Sequence, residues 1–135
     1  MVIKKVEIGV STSRRNEFVA VTEKVRSVVR ESGIKEGCVI LYVPHTTAAV
    51  TINEDYDPSV KNDILNKLSE LIPQGVGYSH SEGNADSHIK ASIIGCSEVI
   101  PISKGDLELG RWQGIFFCEF DGPRSRRLIV QVMGE

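Results

Sequence analysis

The stretch Gly37-Cys38-Val39-Ile40-Leu41-Tyr42-Val43 constrains this chain more than any other. It is apolar, rich in β-branched residues, and bounded by Gly37 at its start and Pro44 just beyond its end. A run of that length fits a strand and is short for an ordinary helix. Its lack of polar alternation marks a strand buried on both faces, a central one, and the rest of the chain has to supply its partners and its cover.

Candidate partners lie on both sides. Val2, Val6, Ile8 and Val10 form one face of a period-two strand that Lys4 disturbs, and after the polar connection Ser11 to Asn16 the segment Glu17 to Val21 reads as a second strand able to pair back as a hairpin. Thr22 is a plausible N-cap for a helix through Ser32, with Val25, Val28 and Val29 as its stripe and Gly33 as its stop. Ala48 to Ile52 is another strand. The clearest helix follows: Asp57 caps it, Pro58 suits its first turn, and Val60, Ile64, Leu68 and Leu71 recur at helical spacing until Pro73. A loop over residues 74–84 enters a short helix from about Asp86 to Ile94, whose apolar residues are Ile89, Ile93 and Ile94. Three strands finish the chain: Ser97 to Ile102, Asp106 to Phe120 with an interruption near Gly110, and Arg127 to Met133. Strands at both ends and helices in the middle give an α+β class, mainly antiparallel, with two to three helices. At 135 residues this is one domain, large enough to fold without a disulfide or a metal, so any metal it binds is there for function.

Charge and cysteine content remove several function classes. Sixteen basic and eighteen acidic residues give a net charge of -2, which argues against general nucleic-acid binding. No apolar run approaches the roughly 20 residues of a bilayer-spanning helix, and the charged opening Met-Val-Ile-Lys-Lys is unlike an export signal, so a cytoplasmic protein with no membrane partner is expected. Cys38, Cys96 and Cys118 are widely spaced in apolar company and read as small buried hydrophobes. The near-neutral total conceals a segregation: residues 54–86 hold seven acids and two lysines, whereas residues 111–127 hold four arginines and two acids.

Four constellations carry possible chemistry. Pro44-His45-Thr46-Thr47 leaves a buried strand at a proline, which displays His45 at a sheet edge where it can bind a metal or move a proton, beside two hydroxyls able to donate to phosphate. The run from Tyr78 to His88 packs two histidines, two carboxylates, an amide and three serine hydroxyls into a loop that enters a helix. Asn53 to Asp57 places three carboxylates at a strand-to-helix turn, with Asp55 and Asp57 suited to the helix start and Glu54 nearest the sheet edge. Gly110-Arg111-Trp112-Gln113-Gly114 and Asp121 to Arg127 combine glycines with guanidinium groups suited to phosphate, and Trp112 can stack on a heteroaromatic ring or pack. There is neither a Walker A loop nor a nucleophile elbow.

These motifs, in this order, resemble the YjbQ-like family, whose members are associated with a secondary thiamine-phosphate synthase activity. The resemblance rests on Val43-Pro44-His45-Thr46-Thr47-Ala48, Ile52-Asn53-Glu54 with Asp57-Pro58, His80 with Glu82 to His88, Leu109-Gly110-Arg111-Trp112-Gln113 and Asp121-Gly122-Pro123-Arg124. It implies a compact α+β sandwich, a homotrimer, and a polar site built from the histidine-bearing segments. The implied reaction joins a thiazole phosphate to an aminopyrimidine-methyl diphosphate with release of pyrophosphate. On that reading His45, Thr47, Glu54 and Asp86 are expected as catalytic residues, and Thr46, Asn84, Arg124 and Trp112 as contacts to a small phosphorylated metabolite. His45, His80 and His88 are expected to hold a divalent metal, zinc or magnesium. A metal-dependent phosphate-ester hydrolase and a non-catalytic metal- or metabolite-binding trimer use the same residues. One departure is visible, Arg111 where the family pattern usually has threonine, so Arg111 either adds a phosphate contact or marks a tolerant position.

Overall fold

The computed structural model of the protein describes residues 1–75 and 77–135. The Gly37–Val43 run is central as expected: strand β3, Gly37–Tyr42, lies within a five-stranded sheet that also contains β1, Val2–Ser11, β5, Ser97–Ser103, β6, Asp106–Leu107, and β8, Ser125–Gly134, in the order β1-β8-β3-β5-β6. It is not buried on both faces, however, since Val39 and Leu41 point into the core while Cys38, Ile40 and Tyr42 lie on a face that no helix or second sheet among the described residues fully covers. A second sheet of β2, Glu17–Ala20, β4, Ala48–Glu54, and β7, Gln113–Glu119, has the order β2-β7-β4. All pairings are antiparallel. Three helices complete the α+β domain: α1, Thr22–Ser32, α2, Pro58–Leu71, and α3, Ala85–Ile94. Among the described residues no helix is long and apolar enough to cross a membrane.

The main core lies between the sheets. Val39 and Leu41 of β3, Leu128, Val130 and Val132 of β8 and Ile100 and Ile102 of β5 meet Ile115 and Phe117 of β7, with Val25 and Val29 of α1 joining them. On the far side of the smaller sheet Phe18, Ala49, Phe116, Cys118 and Phe120 form a second cluster under Ile64, Leu65 and Leu68 of α2 and Ala91 and Ile94 of α3. Strand β7 is thus buried on both faces, which is why Ile115 to Phe120 carries almost no polar residues.

Several sequence expectations need correction. The first two strands form no hairpin, because β1 pairs along its whole length with β8, from Val2 opposite Gly134 to Ser11 opposite Ser125, while β2 joins β7 in the other sheet. The core reaches only Ile8 and Val10 of β1, leaving Val2, Ile3 and Val6 exposed. The segment Asp106 to Phe120 is two strands in different sheets, and the break at Gly110 is where the chain changes sheets. Thr22 does not cap α1; its hydroxyl accepts the Ile115 N–H at 2.9 Å and so extends the β2–β7 pairing. Asp57 does cap α2, accepting the Ser59 N–H at 2.9 Å, and Pro58 is its first residue. Cys118 is buried as expected, Cys38 is partly exposed, and Cys96 is on the surface.

Candidate functional site

The β4–β7 ladder sorts the expected site residues. Ala48 lies opposite Glu119 at one end and Glu54 opposite Gln113 at the other, a separation of about 20 Å at the usual rise per residue of a strand. His45, Thr46, Thr47, Asn84, Asp86, His88 and Arg124 gather at the Ala48 end. Glu54 and Trp112 stand at the opposite end, so a single subunit does not bring them to the histidines. Glu54 turns toward α2 instead, its carboxylate accepting the Asp57 N–H at 3.3 Å.

At the Ala48 end a cleft of about 490 Å³ opens between the turn that follows β3 and the helix α3, lined in part by His45, Thr46, His88, Ser92 and Cys96. His45 is fixed by a backbone contact: its Nε2 accepts the Arg127 N–H at 3.0 Å, and its ring stands edge-on to Phe117. Burial, together with the nearby Arg126 and Arg127 charges, holds its pKa below the ordinary imidazole value. The ring is therefore neutral near pH 7, and with Nε2 used as an acceptor its proton belongs on Nδ1. His80 and His88 meet edge to face with centroids 5.3 Å apart, and His80 Nε2 is 3.8 Å from Glu82.

Thr47 and Asp86 point away from this cleft into the body of the protein. The Thr47 hydroxyl accepts from Arg126 Nη2 at 2.8 Å, and Arg126 pairs with the fully buried Glu119, which also accepts from Thr12 at 2.7 Å. Asp86 is fully buried beneath α3, gripped by two Arg15 nitrogens at 2.9 and 3.1 Å and by Lys90 Nζ at 3.2 Å. Burial pushes both carboxyls up, but the bonds from Arg126 to Glu119 and from Arg15 and Lys90 to Asp86 outweigh it and hold them below the usual carboxylate range. Both are committed acceptors, so their work is to position the elements around the cleft.

Asn84 and Arg124 meet at Asp121, outside the residues that line the cleft. Asn84 Nδ2 donates to Asp121 Oδ2 at 2.9 Å, and Arg124 donates from Nε to the Asp121 carbonyl at 2.8 Å and from Nη2 to its carboxylate at 3.1 Å. Asn84 does not cap α3 with its side chain, and its Oδ1 is the one buried side-chain polar atom without a partner among the described residues.

The expected three-histidine metal set does not assemble within one subunit. Among the described residues no three His, Cys, Asp or Glu side chains converge to hold an ion, and His45 would have to give up the Arg127 N–H to offer Nε2. Sequence reasoning also missed Arg15, Lys90, Glu119 and Arg126. Glu119 did leave a signal, a lone carboxylate in the apolar run Ile115 to Phe120, since a charge in such a setting needs a buried partner. Arg15, in a polar loop, left none.

Comparison with known proteins bears on all of these segments together. A family model described as UPF0047 protein YjbQ-like matches residues 6–135. The chain is 52% identical over 126 residues to UPF0047 protein MJ1081 of Methanocaldococcus jannaschii, covering 93% of this chain and 91% of that one. It is 44% identical over 128 residues to UPF0047 protein YugU of Bacillus subtilis, covering 94% and 97%. The crystal structure of a YbjQ-like protein of unknown function from Sulfolobus solfataricus superposes with a TM-score of 0.95 at 37% identity over 99% of each chain. A protein of the yjbq/upf0047 family from Clostridium acetobutylicum gives a TM-score of 0.93 at 46% identity, over 95% of this chain and 99% of the other.

Proposed function

The chain belongs to the YjbQ-like UPF0047 family, and from that premise we propose that it is a transferase acting on a small phosphorylated metabolite bound in the His45–His88 cleft. The observation that carries this reading is the Arg127 N–H to His45 Nε2 bond. It leaves Nδ1–H as the polar group His45 can offer a ligand, and a neutral N–H donor beside the exposed hydroxyl of Thr46 suits an oxyanion better than a cation. The guanidinium of Arg124, at the same end of the sandwich, adds positive charge for a phosphate.

The reaction is the displacement in which a thiazole ring nitrogen attacks the methylene carbon of an aminopyrimidine-methyl diphosphate. A C–N bond forms, the C–O bond breaks, and the electron pair leaves with pyrophosphate. No covalent protein intermediate is required; positioning and charge stabilisation suffice. The described residues of one chain do not fit a resident metal site, and the displacement as written needs none from them. In this reading a divalent ion, zinc or magnesium, enters with the substrate's diphosphate or through donors of a second subunit beside the His80–His88 pair. Self-association as a homotrimer belongs to the same proposal.

The test is incubation of the purified protein with both precursors, scoring thiamine phosphate and pyrophosphate. His45→Ala should lower turnover by about 100-fold, the usual effect of losing one oxyanion donor. Unchanged turnover in both His45→Ala and His88→Ala would remove the cleft as the site, and phosphate release without coupling would favour the hydrolase reading.

A further inference from the structure

The end of the β4–β7 ladder opposite the histidines carries a second cleft, of about 450 Å³, between the first turn of α1, the turn after β4 and the turn before β7. Its walls include Tyr56 and Trp112, whose ring centroids are 4.5 Å apart at an interplanar angle of 41°. These two large rings are held in water, Tyr56 65% and Trp112 48% exposed. The turn that presents them is built tightly. Asp55 N–H donates to the Trp112 carbonyl at 2.8 Å, and Gln113 closes the preceding turn by accepting the Gly110 N–H at 2.7 Å. A side chain at position 114 would meet Asp55 Cβ at 2.5 Å, so glycine there lets the two turns touch.

The charges around the rings are unevenly paired. Arg26 is bonded to Asp106 and Glu23. Arg111 lies with its guanidinium carbon 5.0 Å over the Trp112 ring, yet neither it nor Lys24 makes a side-chain hydrogen bond or ion pair among the described residues. Asp55 likewise has a carboxylate beside the rings with no side-chain partner. The exposed side of the Tyr56–Trp112 pair, the Asp55 carboxylate at its edge, Arg111 held over Trp112 and the unpaired Lys24 form a set of groups that the histidine cleft of the same chain does not use.

We propose that this cleft binds a planar, amino-substituted heteroaromatic ring carrying a phosphate, a ligand of the nucleoside monophosphate class. The ring stacks on the exposed side of the Tyr56–Trp112 pair, its amino group donates to Asp55, and its phosphate meets Lys24 and the outer edge of the Arg111 guanidinium. Within one chain this site is separated from the proposed transferase cleft by the length of β4.

Trp112 is the sole tryptophan, so intrinsic emission reports this cleft directly. The experiment is a fluorescence titration with adenosine monophosphate, adenosine and inorganic phosphate. Adenosine monophosphate should quench saturably, adenosine should do so with lower affinity, and inorganic phosphate should leave emission unchanged. Tyr56→Ala should weaken adenosine monophosphate about tenfold through lost stacking. Arg111→Ala should weaken it similarly while sparing adenosine. His45→Ala should bind as the wild-type protein does, so failure here and failure of the transferase reading are separable. The proposal is overturned by the absence of saturable quenching with either nucleoside compound, by unchanged affinity in Tyr56→Ala, or by loss of quenching in His45→Ala.

Discussion

Glu119 of β7 and Arg126 of β8 face each other across the space between the two sheets, at the one end of the sandwich where the inward side chains are not apolar. Thr12 and Thr47 take up their remaining hydrogen-bonding capacity. Breaking such a pair from one side leaves a buried charge exposed to no solvent, and Arg126→Met should cost about 3–5 kcal/mol in urea denaturation. The double variant Glu119→Leu with Arg126→Met should recover most of that loss. A single-variant cost under about 1 kcal/mol would show that water reaches the pair.

Acid should find the same weak point. Glu119, Asp86 and Asp121 all have folded-state pKa values held below their ordinary ones. Each contributes stability that is fully present above the unfolded carboxylate value of about 4 and is lost as pH falls through the lower folded value, because the unfolded chain then binds more protons. Asp86→Asn should flatten part of this dependence in denaturation curves recorded between pH 2 and 5, roughly the window that linkage sets. An unchanged slope would contradict the ionised Arg15–Asp86–Lys90 trio.

His45 gives a separate signature in a higher pH window. Its lowered pKa means that the unfolded chain takes up a proton near pH 6.5 while the folded chain does not. Its contribution to stability therefore declines as pH drops from about 6.5 to the folded value, then levels off. Nitrogen NMR of the ring should find Nδ1 protonated and Nε2 bare at neutral pH. A ring protonated on Nε2, or one titrating above 6.5, would break the donor assignment on which the proposed function rests.

Cys96 offers a chemical readout of the histidine cleft. It is exposed and lines that cleft, whereas Cys118 is completely buried. A thiol reagent should label Cys96 in the native protein and Cys118 only after unfolding, and a phosphorylated ligand in the cleft should slow the first reaction. Labelling at Cys96 that is indifferent to saturating ligand would move the binding site elsewhere.

Much of the fold could be read from local pattern, because the information was local. Gly37 to Val43 becomes a central strand, though dry on one face only, and Asp57-Pro58 starts a helix through its own hydrogen bond and fixed backbone angle. Pairing was a different matter. Nothing near Val2 announces that its partner is Gly134, and the two hydroxyls Thr12 and Thr22, both suited to local turns, serve strands more than ninety residues away. The site divided along the same line. His45, His88, Asn84 and Arg124 are visible as residue types near turns, whereas the partly buried Arg15 and the buried Lys90 and Arg126 look like surface residues in a linear reading. Glu54 and Trp112 share a sequence pattern with the histidines, but motifs that share a pattern need not be adjacent in space, and within one chain a full strand separates them.

Helix α3 rests on the smaller sheet with Asp86, Ser87 and Lys90 turned inward and with Ile89 and Ile93 39% and 61% exposed. A helix seated on grease can roll by a few degrees at little expense, since dispersion contacts are nondirectional. This one is indexed like a toothed wheel: Asp86 engages Arg15, Lys90 engages Asn16, and Ser87 engages the Phe120 carbonyl, each along a defined bond direction. The angular setting of α3 is thereby locked, and with it the bearing of His88 toward His45 on the opposite wall of the cleft.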